Sequence, residues 1–501
     1  MGKVVLVGAG PGDAGLITVL GEKYIRKADC IIYDRLISRD LLAKARPDCE
    51  LIYAGKENHR HIMEQEKINA LLAAKAGECS LVVRLKGGDP YVFGRGSEEA
   101  LFLTEKGIEV EVVPGVSSCI SVLSAAGIPA THRGAAKGFK VLTAQKRKGE
   151  AVRFDPDQLA DKEETLIFLM GMSSLSGIVQ SLRDAGREDS TPMAVIMNGT
   201  RSSQKKAVGR LCDIERKVKE AGIGSPAVIV AGDVVSFSDK LAFSEKRPLF
   251  GKTFFVPYIR SARFDFNTGW MVSDENGLAD QIKRLGGKAV TYVTGEILPV
   301  RCDLSMLSEL TDDDYIVFTS RNGVYAFMWN LKEQGLDVRS LGRTGLAAVG
   351  KKTADSLREF GLQADVVSPR SDSGDLGKVL RERTAENTRV YWYSAKETTE
   401  SFADILRDCC QFRKFAVYEN APVSGQNKEQ IREKIRDCEG VIFTSGSNAE
   451  RTREAFDLLP DRVYSIGKSC SRSVRKTGLN VYAEAQSPSY EELIRLLWTK
   501  D

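Results

Sequence analysis

The chain has 501 residues, 42% hydrophobic and 28% charged, the composition of a soluble globular protein too long for a single core, so two to four domains are expected. Its 72 basic and 68 acidic side chains leave a net charge of +4, too balanced for a nucleic-acid binder, although a local basic pocket is compatible with it. The ten cysteines show no CxxC spacing and read as reduced residues rather than a disulfide framework, while three histidines (His59, His61 and His132) are too few for a catalytic metal centre.

The N-terminus runs directly into KVVLVGAGPGDAGLIT, a buried strand, a glycine-rich turn and a helix start, with no signal-peptide pattern. No apolar run downstream approaches the ~20 residues needed to cross a bilayer, so no membrane partner and a cytoplasmic location are expected. Further strands are predicted at CIIYD, LVVRLKGGDP, EVEVVPG, TLIFLMG, MAVIMNG and PAVIVAGDVV, with helical patterns between most of them. Near-continuous apolar strands alternating with helices predict an α/β fold. This block closes near Phe243, the polar run SEKRPLFGK reads as a linker, and TFFVPYI opens a second block.

The second block repeats itself. DYIVFTSRNGV (314–324) is similar to EGVIFTSGSNA (439–449), and AAVGKKTADSL (347–357) to YSIGKSCSRSV (464–474). Two similar α/β halves with different loop lengths are therefore predicted.

GAGPGD (8–13) follows a strand, as a dinucleotide-binding turn would. The full GxGxxG pattern needs glycine at position 13, which is Asp13, and Pro11 removes a backbone N–H that a phosphate would use. A nicotinamide cofactor is therefore not expected.

The ordered series VGAGPGD, YDRL, GK, RLKGGDP-x-VFGRG, VVPGVSS and GIPATHR resembles the uroporphyrinogen-III C-methyltransferases, over roughly residues 3–245. The resemblance implies a two-lobed α/β domain with S-adenosylmethionine bound between the lobes, usually in a homodimer; with so few histidines, no metal is expected beside it. By position it places the donor against Pro11, Gly87, Gly88, Asp89, Val92, Ser117, Ser118, Met170 and Gly199. It makes Asp34 of YDRL the proton acceptor and Lys56 the proton donor. Asp34 also follows an apolar strand, where α/β sites form, which favours its functional role; a loop-capping aspartate and a surface lysine are the alternatives for the two. The tetrapyrrole substrate carries eight carboxylates, for which Arg35, Arg84, Arg95 and Arg133 are candidate partners; solvated surface charge explains any one of them equally well.

From about residue 250 to 501, the segments FTSRNGV, AVGKKTA, VYEN and FTSGS…IGKS…SPSYEEL resemble uroporphyrinogen-III synthase. The resemblance implies two α/β subdomains, about 250–298 plus 422–501 and 302–418, joined by a two-strand connector. It makes Tyr418 the residue that assists departure of the substrate hydroxyl; a buried strand tyrosine is the alternative. Thr353 and Ser469, following the two GK turns at matching positions, are expected to bind carboxylates, or else to cap helices.

Together the two resemblances imply a bifunctional enzyme. It would cyclise hydroxymethylbilane to uroporphyrinogen III with inversion of ring D, then methylate carbons 2 and 7 to give precorrin-2, on a path to sirohaem or cobalamin. The alternatives are another tetrapyrrole methyltransferase, or a second block that only binds substrate or a partner.

Overall fold

Apolar runs such as Val4–Val7 alternate their side chains between two faces, so a strand of this kind needs a helical layer on both sides. The computed structural model describes residues 2–46, 48–55, 65–144, 154–267, 269–273, 276–370, 372–398 and 400–499. The chain divides into two compact units, Met1–Lys252 with Lys283–Gly287, and Thr253–Ile282 with Lys288–Asp501.

The first unit begins with β1 (Lys3–Gly8), β2 (Cys30–Tyr33), β3 (Glu50–Tyr53), β4 (Leu81–Lys86) and β5 (Val110–Val113). They form one parallel sheet in the order β3-β2-β4-β1-β5. Val4 and Leu6 enter one apolar layer and Val5 and Val7 the other. The connections leaving β1 and β4 run toward opposite edges of the sheet. The crevice beyond the carboxyl ends of these two neighbours is therefore the topological switch point, where ligands of open α/β sheets bind.

The same unit continues with β6 (Gly138–Thr143), β7 (Glu164–Leu169), β8 (Pro192–Met197), β9 (Lys205–Arg210) and β10 (Ala227–Ala231). Their order is β6-β7-β10-β8-β9; only β6 and β7 are parallel, and the other pairs are antiparallel. The strands β3, β6 and β9, which the apolar pattern did not predict, are all edge strands. Each is partly exposed, so none presents the continuous apolar run of a central strand.

The second unit contains β11 (Thr253–Arg263), β12 (Met271–Ser273), β13 (Lys288–Pro299), β14 (Tyr315–Phe318), β15 (Gly345–Ala348), β16 (Val366–Val367), β17 (Arg389–Ala395), β18 (Gln411–Ala421), β19 (Gly440–Phe443), β20 (Arg462–Ser465) and β21 (Val481–Glu484). They form one sheet, β16-β15-β14-β17-β18-β13-β11-β19-β20-β21, with β12 paired to β11. At its middle, β13 and β18 pair antiparallel through Glu296–Pro299 and Tyr418–Ala421. The arrangement is a pseudo-repeat about that pair: β14 and β15 on one side match β19 and β20 on the other.

The repeated FTS segments are equivalent helix starts. Ser320 and Ser445 share an extended backbone near φ −159° and −158°, and each side chain accepts a bond from the N–H three residues on. A hairpin formed by β11 and β12 carries Phe264 and Trp270 onto the apolar layer around β14 and β17. There Phe264 meets Phe360 with ring centroids 4.9 Å apart.

All ten cysteines are free, and burial pushes the thiols of Cys30, Cys410 and Cys438 up to about 12, so they stay un-ionised. Among the described residues no helix is long and apolar enough to cross a membrane, and no cluster of three or more His, Cys, Asp or Glu could hold a metal.

Candidate active sites

In the first unit, the loops following β1, β2, β4 and β5 open from one edge of the parallel sheet. Their floor is backbone. Gly10 and Gly88 exchange N–H···O bonds of 3.2 and 2.8 Å, tying the turn after β1 to the turn after β4. A Cβ on Gly115 would collide with the Gly88 carbonyl and the Gly8 backbone, and one on Gly8 would collide with Gly115. Gly115, within VVPGVSS, has no assigned role from the motif; its sequence signal is a glycine directly after a strand and a proline.

Gly87 and Gly88 differ from these. A Cβ on Gly87 would meet only the Leu36 Cβ at 3.7 Å, and one on Gly88 only the Ser117 and Ser118 backbone at 3.9 Å. Among the described residues both face open space, a cradle that bare backbone lines, and Gly88 holds φ +68°. Ser117 caps the helix Ser118–Ala125 without using its own hydroxyl for the cap. Its Oγ instead accepts a bond from Cys119 Sγ at 3.2 Å.

Asp89 was expected to receive hydrogen bonds from the methyl donor. Its two carboxylate oxygens each accept one backbone N–H, from Tyr91 (2.8 Å) and Gly115 (3.0 Å), which also pins the loops together. Pro11 is half-buried, while Val92 and Met170 are 38% and 44% exposed, as apolar contacts for a ligand would be. A Cβ on Gly199 would collide with Val122, so this glycine serves close packing.

Positive φ values mark the rim. Among non-glycine residues they occur at Phe93, Arg95, Met170, Asn198 and Thr200, all in loops that follow β4, β7 and β8. Such conformations cost on the order of 1–2 kcal/mol each and persist where the surroundings impose them, commonly at functional sites. The Thr200 hydroxyl accepts the Asp13 N–H at 3.3 Å, and Arg201 Nη2 donates to the Leu36 carbonyl at 2.7 Å, so this loop clasps the β1 and β2 turns. Burial lowers the Arg201 guanidinium from its usual value. Neither residue carried a sequence signal, because the partner of Thr200 lies 187 positions away and that of Arg201 lies 165.

Asp34 follows β2, one-third exposed, and accepts Arg84 Nη2 at 2.6 Å. Arg84 was expected to bind a substrate carboxylate; it is instead 2% exposed. All three of its nitrogens are engaged: Nη2 on Asp34, Nε on Glu99 at 3.2 Å and Nη1 on the Ile32 carbonyl at 3.4 Å. Lys86 joins the same Glu99 at 2.9 Å. Burial opposes the charge of Arg84, but Asp34 and Glu99 beside it outweigh burial and raise its pKa. For Lys86, burial dominates and lowers it. Arg35, Arg95 and Arg133 are exposed; Arg95 pairs with Glu98 at 2.7 Å. Lys56, like His59 and His61, lies outside the described residues.

In the second unit, Tyr418 sits on β18 where the chain passes from the parallel partner β17 to the antiparallel partner β13. Its hydroxyl lies 2.9 Å from Ser320 Oγ, the cap of the helix Arg321–Glu333. Burial raises the phenol pKa, with Ser320 opposing in part.

The expectation for the two GK turns needs correction. Counted from the capping glycines Gly350 and Gly467, Thr353 matches Cys470, and Ser469 matches Lys352. Thr353 and Cys470 are 4% and 5% exposed and face the core, whereas Ser469 and Lys352 are exposed. One helical position rotates a side chain by about 100°, so Thr353 and Ser469 occupy different environments.

Comparison with known proteins agrees with both halves. The sequence model of the Tetrapyrrole (Corrin/Porphyrin) Methylases matches residues 3–215, and that of Uroporphyrinogen-III synthase HemD matches residues 276–495. A "Porphyrin biosynthesis protein HemD" of Ruminiclostridium josui is 34% identical over 502 residues, covering 98% of this chain and 97% of that protein. A uroporphyrinogen-III C-methyltransferase of Methanocaldococcus jannaschii is 47% identical over 239 residues, 48% of this chain and 98% of the relative. Among solved structures, a uroporphyrin-III C-methyltransferase from Thermus thermophilus complexed with S-adenyl homocysteine shares 38% identity. It covers 47% of this chain and 93% of that one, with a TM-score of 0.41. The chain therefore belongs to the tetrapyrrole methylases through its N-terminal half and to the uroporphyrinogen-III synthases through its C-terminal half, two enzyme families joined in one polypeptide.

Proposed function

We propose that the first unit methylates uroporphyrinogen III at carbons 2 and 7 with S-adenosylmethionine, giving precorrin-2, and that the second makes uroporphyrinogen III by closing hydroxymethylbilane. The observation that carries the reading is one relative 34% identical along essentially the whole chain, which pairs the same two halves.

The open cradle at Gly87 and Gly88 fits a small polar molecule laid against backbone, with Val92 and Met170 as apolar contacts. When bound, the donor supplies an electrophilic sulfonium methyl. The chain's part is to align that methyl with an electron-rich pyrrole carbon, an entropic task. Asp34, held by Arg84, takes the proton that leaves the methylated macrocycle. Arg35, Arg95 and Arg133 offer exposed cations for substrate carboxylates. The assignment of Lys56 as proton donor rests on the motif resemblance alone.

In the second unit the linear substrate is intrinsically reactive, so the enzyme's main work is to hold one conformation. The buried Tyr418 hydroxyl, kept protonated, assists departure of the substrate hydroxyl as water. Ser320 aims it.

The test supplies purified protein with hydroxymethylbilane and the methyl donor, following product by absorbance and mass. A doubly methylated type III macrocycle is expected. Methylation only when the type III macrocycle is supplied directly would reduce the second unit to a binding scaffold. Loss of methyl transfer with either substrate would refute the reading of the first.

A further inference from the structure

Glu99 is fully buried on the helix Gly96–Glu105, next to the exposed Glu98. Its Oε1 accepts Arg84 Nε (3.2 Å), Lys86 Nζ (2.9 Å) and Gln65 Nε2 (3.1 Å), while Oε2 has no hydrogen-bond partner among the described residues. Arg84 and Lys86 stand two apart on β4, on one face of the strand. Asp34, Arg84, Glu99 and Lys86 thus form one chain of alternating charge, with only Asp34 reaching the surface. A buried cluster of charged side chains often does no more for stability than apolar packing of the same volume. Their arrangement is explained instead by what they do to Asp34.

We propose that Glu99 is a positioning residue for methyl transfer: by anchoring Arg84 and Lys86 it aims the Arg84 guanidinium at Asp34 and fixes the orientation and charge of that carboxylate. This rests on the reading of Asp34 as proton acceptor. Among the described residues, the charged groups around the cluster are Arg84 and Lys86 from β4, Asp34 after β2, and the Arg95–Glu98 pair at the start of Glu99's own helix. Gln65 and Asn69 of the helix Gln65–Glu78 are neutral.

The experiment compares the full-length wild type with Glu99→Gln and Lys86→Met, measuring the pH profile of kcat and calorimetric binding of S-adenosylhomocysteine. Glu99→Gln leaves both cations to Asp34, which is then held ionised more firmly. The acid limb of kcat moves about one unit toward lower pH, turnover falls about tenfold, and cofactor-product binding stays unchanged. Lys86→Met frees Glu99 to draw Arg84 from Asp34, and the limb moves toward higher pH. A merely structural role would not move the limb in opposite directions; unmoved or parallel limbs overturn the proposal.

If Glu99→Gln does not fold, Lys86→Met alone decides by the sign of its shift. Carbon-13 NMR of aspartate-labelled full-length protein, with the Asp34 carboxyl identified by its absence in Asp34→Asn, follows the same titration without turnover. If the two variants shift the NMR titration in opposite directions while the wild type transfers no methyl, the methyltransferase reading sinks and Glu99's hold on Asp34 stands. Unshifted titration sinks the latter whatever the activity.

Discussion

Gly87 and Gly115 belong to the same cleft and answer differently to an added methyl. The Gly87 Cβ would enter open space, whereas the Gly115 Cβ would strike the Gly88 carbonyl. Gly87→Ala is expected to keep the wild-type Tm while weakening S-adenosylhomocysteine binding at least tenfold by calorimetry, because a methyl group would occupy ligand space. Gly115→Ala is expected to lose binding and also about 1–3 kcal/mol of stability by thermal unfolding, the cost of overpacking against backbone. Equal Tm losses in the two would refute the distinction. For Tyr418, burial raises the phenol pKa above its usual 10, so the neutral, donating form persists through ordinary assay conditions. The synthase rate should then show no alkaline limb from this group below about pH 10 in a stopped-flow profile. At Arg84, RLK on a strand reads as a cation near the site, and only the fold turns its guanidinium inward to Asp34 and Glu99.

At the scale of elements, the paired caps Ser320 and Ser445 give a controlled comparison, since each accepts one backbone N–H at the start of its helix. Replacing either by alanine should cost about 1 kcal/mol in chemical denaturation. Only Ser320→Ala also strips Tyr418 of its 2.9 Å partner, so it should slow ring closure several-fold more than Ser445→Ala at similar stability. The β11–β12 hairpin offers a second check. Phe264 packs against both Phe266 (5.4 Å) and Phe360 (4.9 Å), which also meet each other at 5.4 Å, and Lys332 Nζ donates to the Asn267 carbonyl at 3.2 Å. Phe264→Ala should cost about 2–4 kcal/mol and raise amide exchange both in the hairpin and around Phe360. Central strands such as TLIFLMG were legible because both their faces are apolar. The edge strands β3, β6 and β9 were not, because partial exposure breaks the pattern.

For the whole molecule, two families with separate sequence signatures share one chain, and each unit builds its sites from loops distant in sequence. The central strands of the first half, the internal repeat of the second half and the family of each half were written in local apolar periods, glycine turns and ordered motifs, because these depend on neighbours within a few residues. Three things were not: that β1 and β4 lie side by side at the switch point, that Arg201 reaches Leu36 across 165 positions, and that a buried Glu99 grips Arg84. Each depends on which face of which element the packing turns inward, a choice made by the whole core rather than by any local stretch of residues.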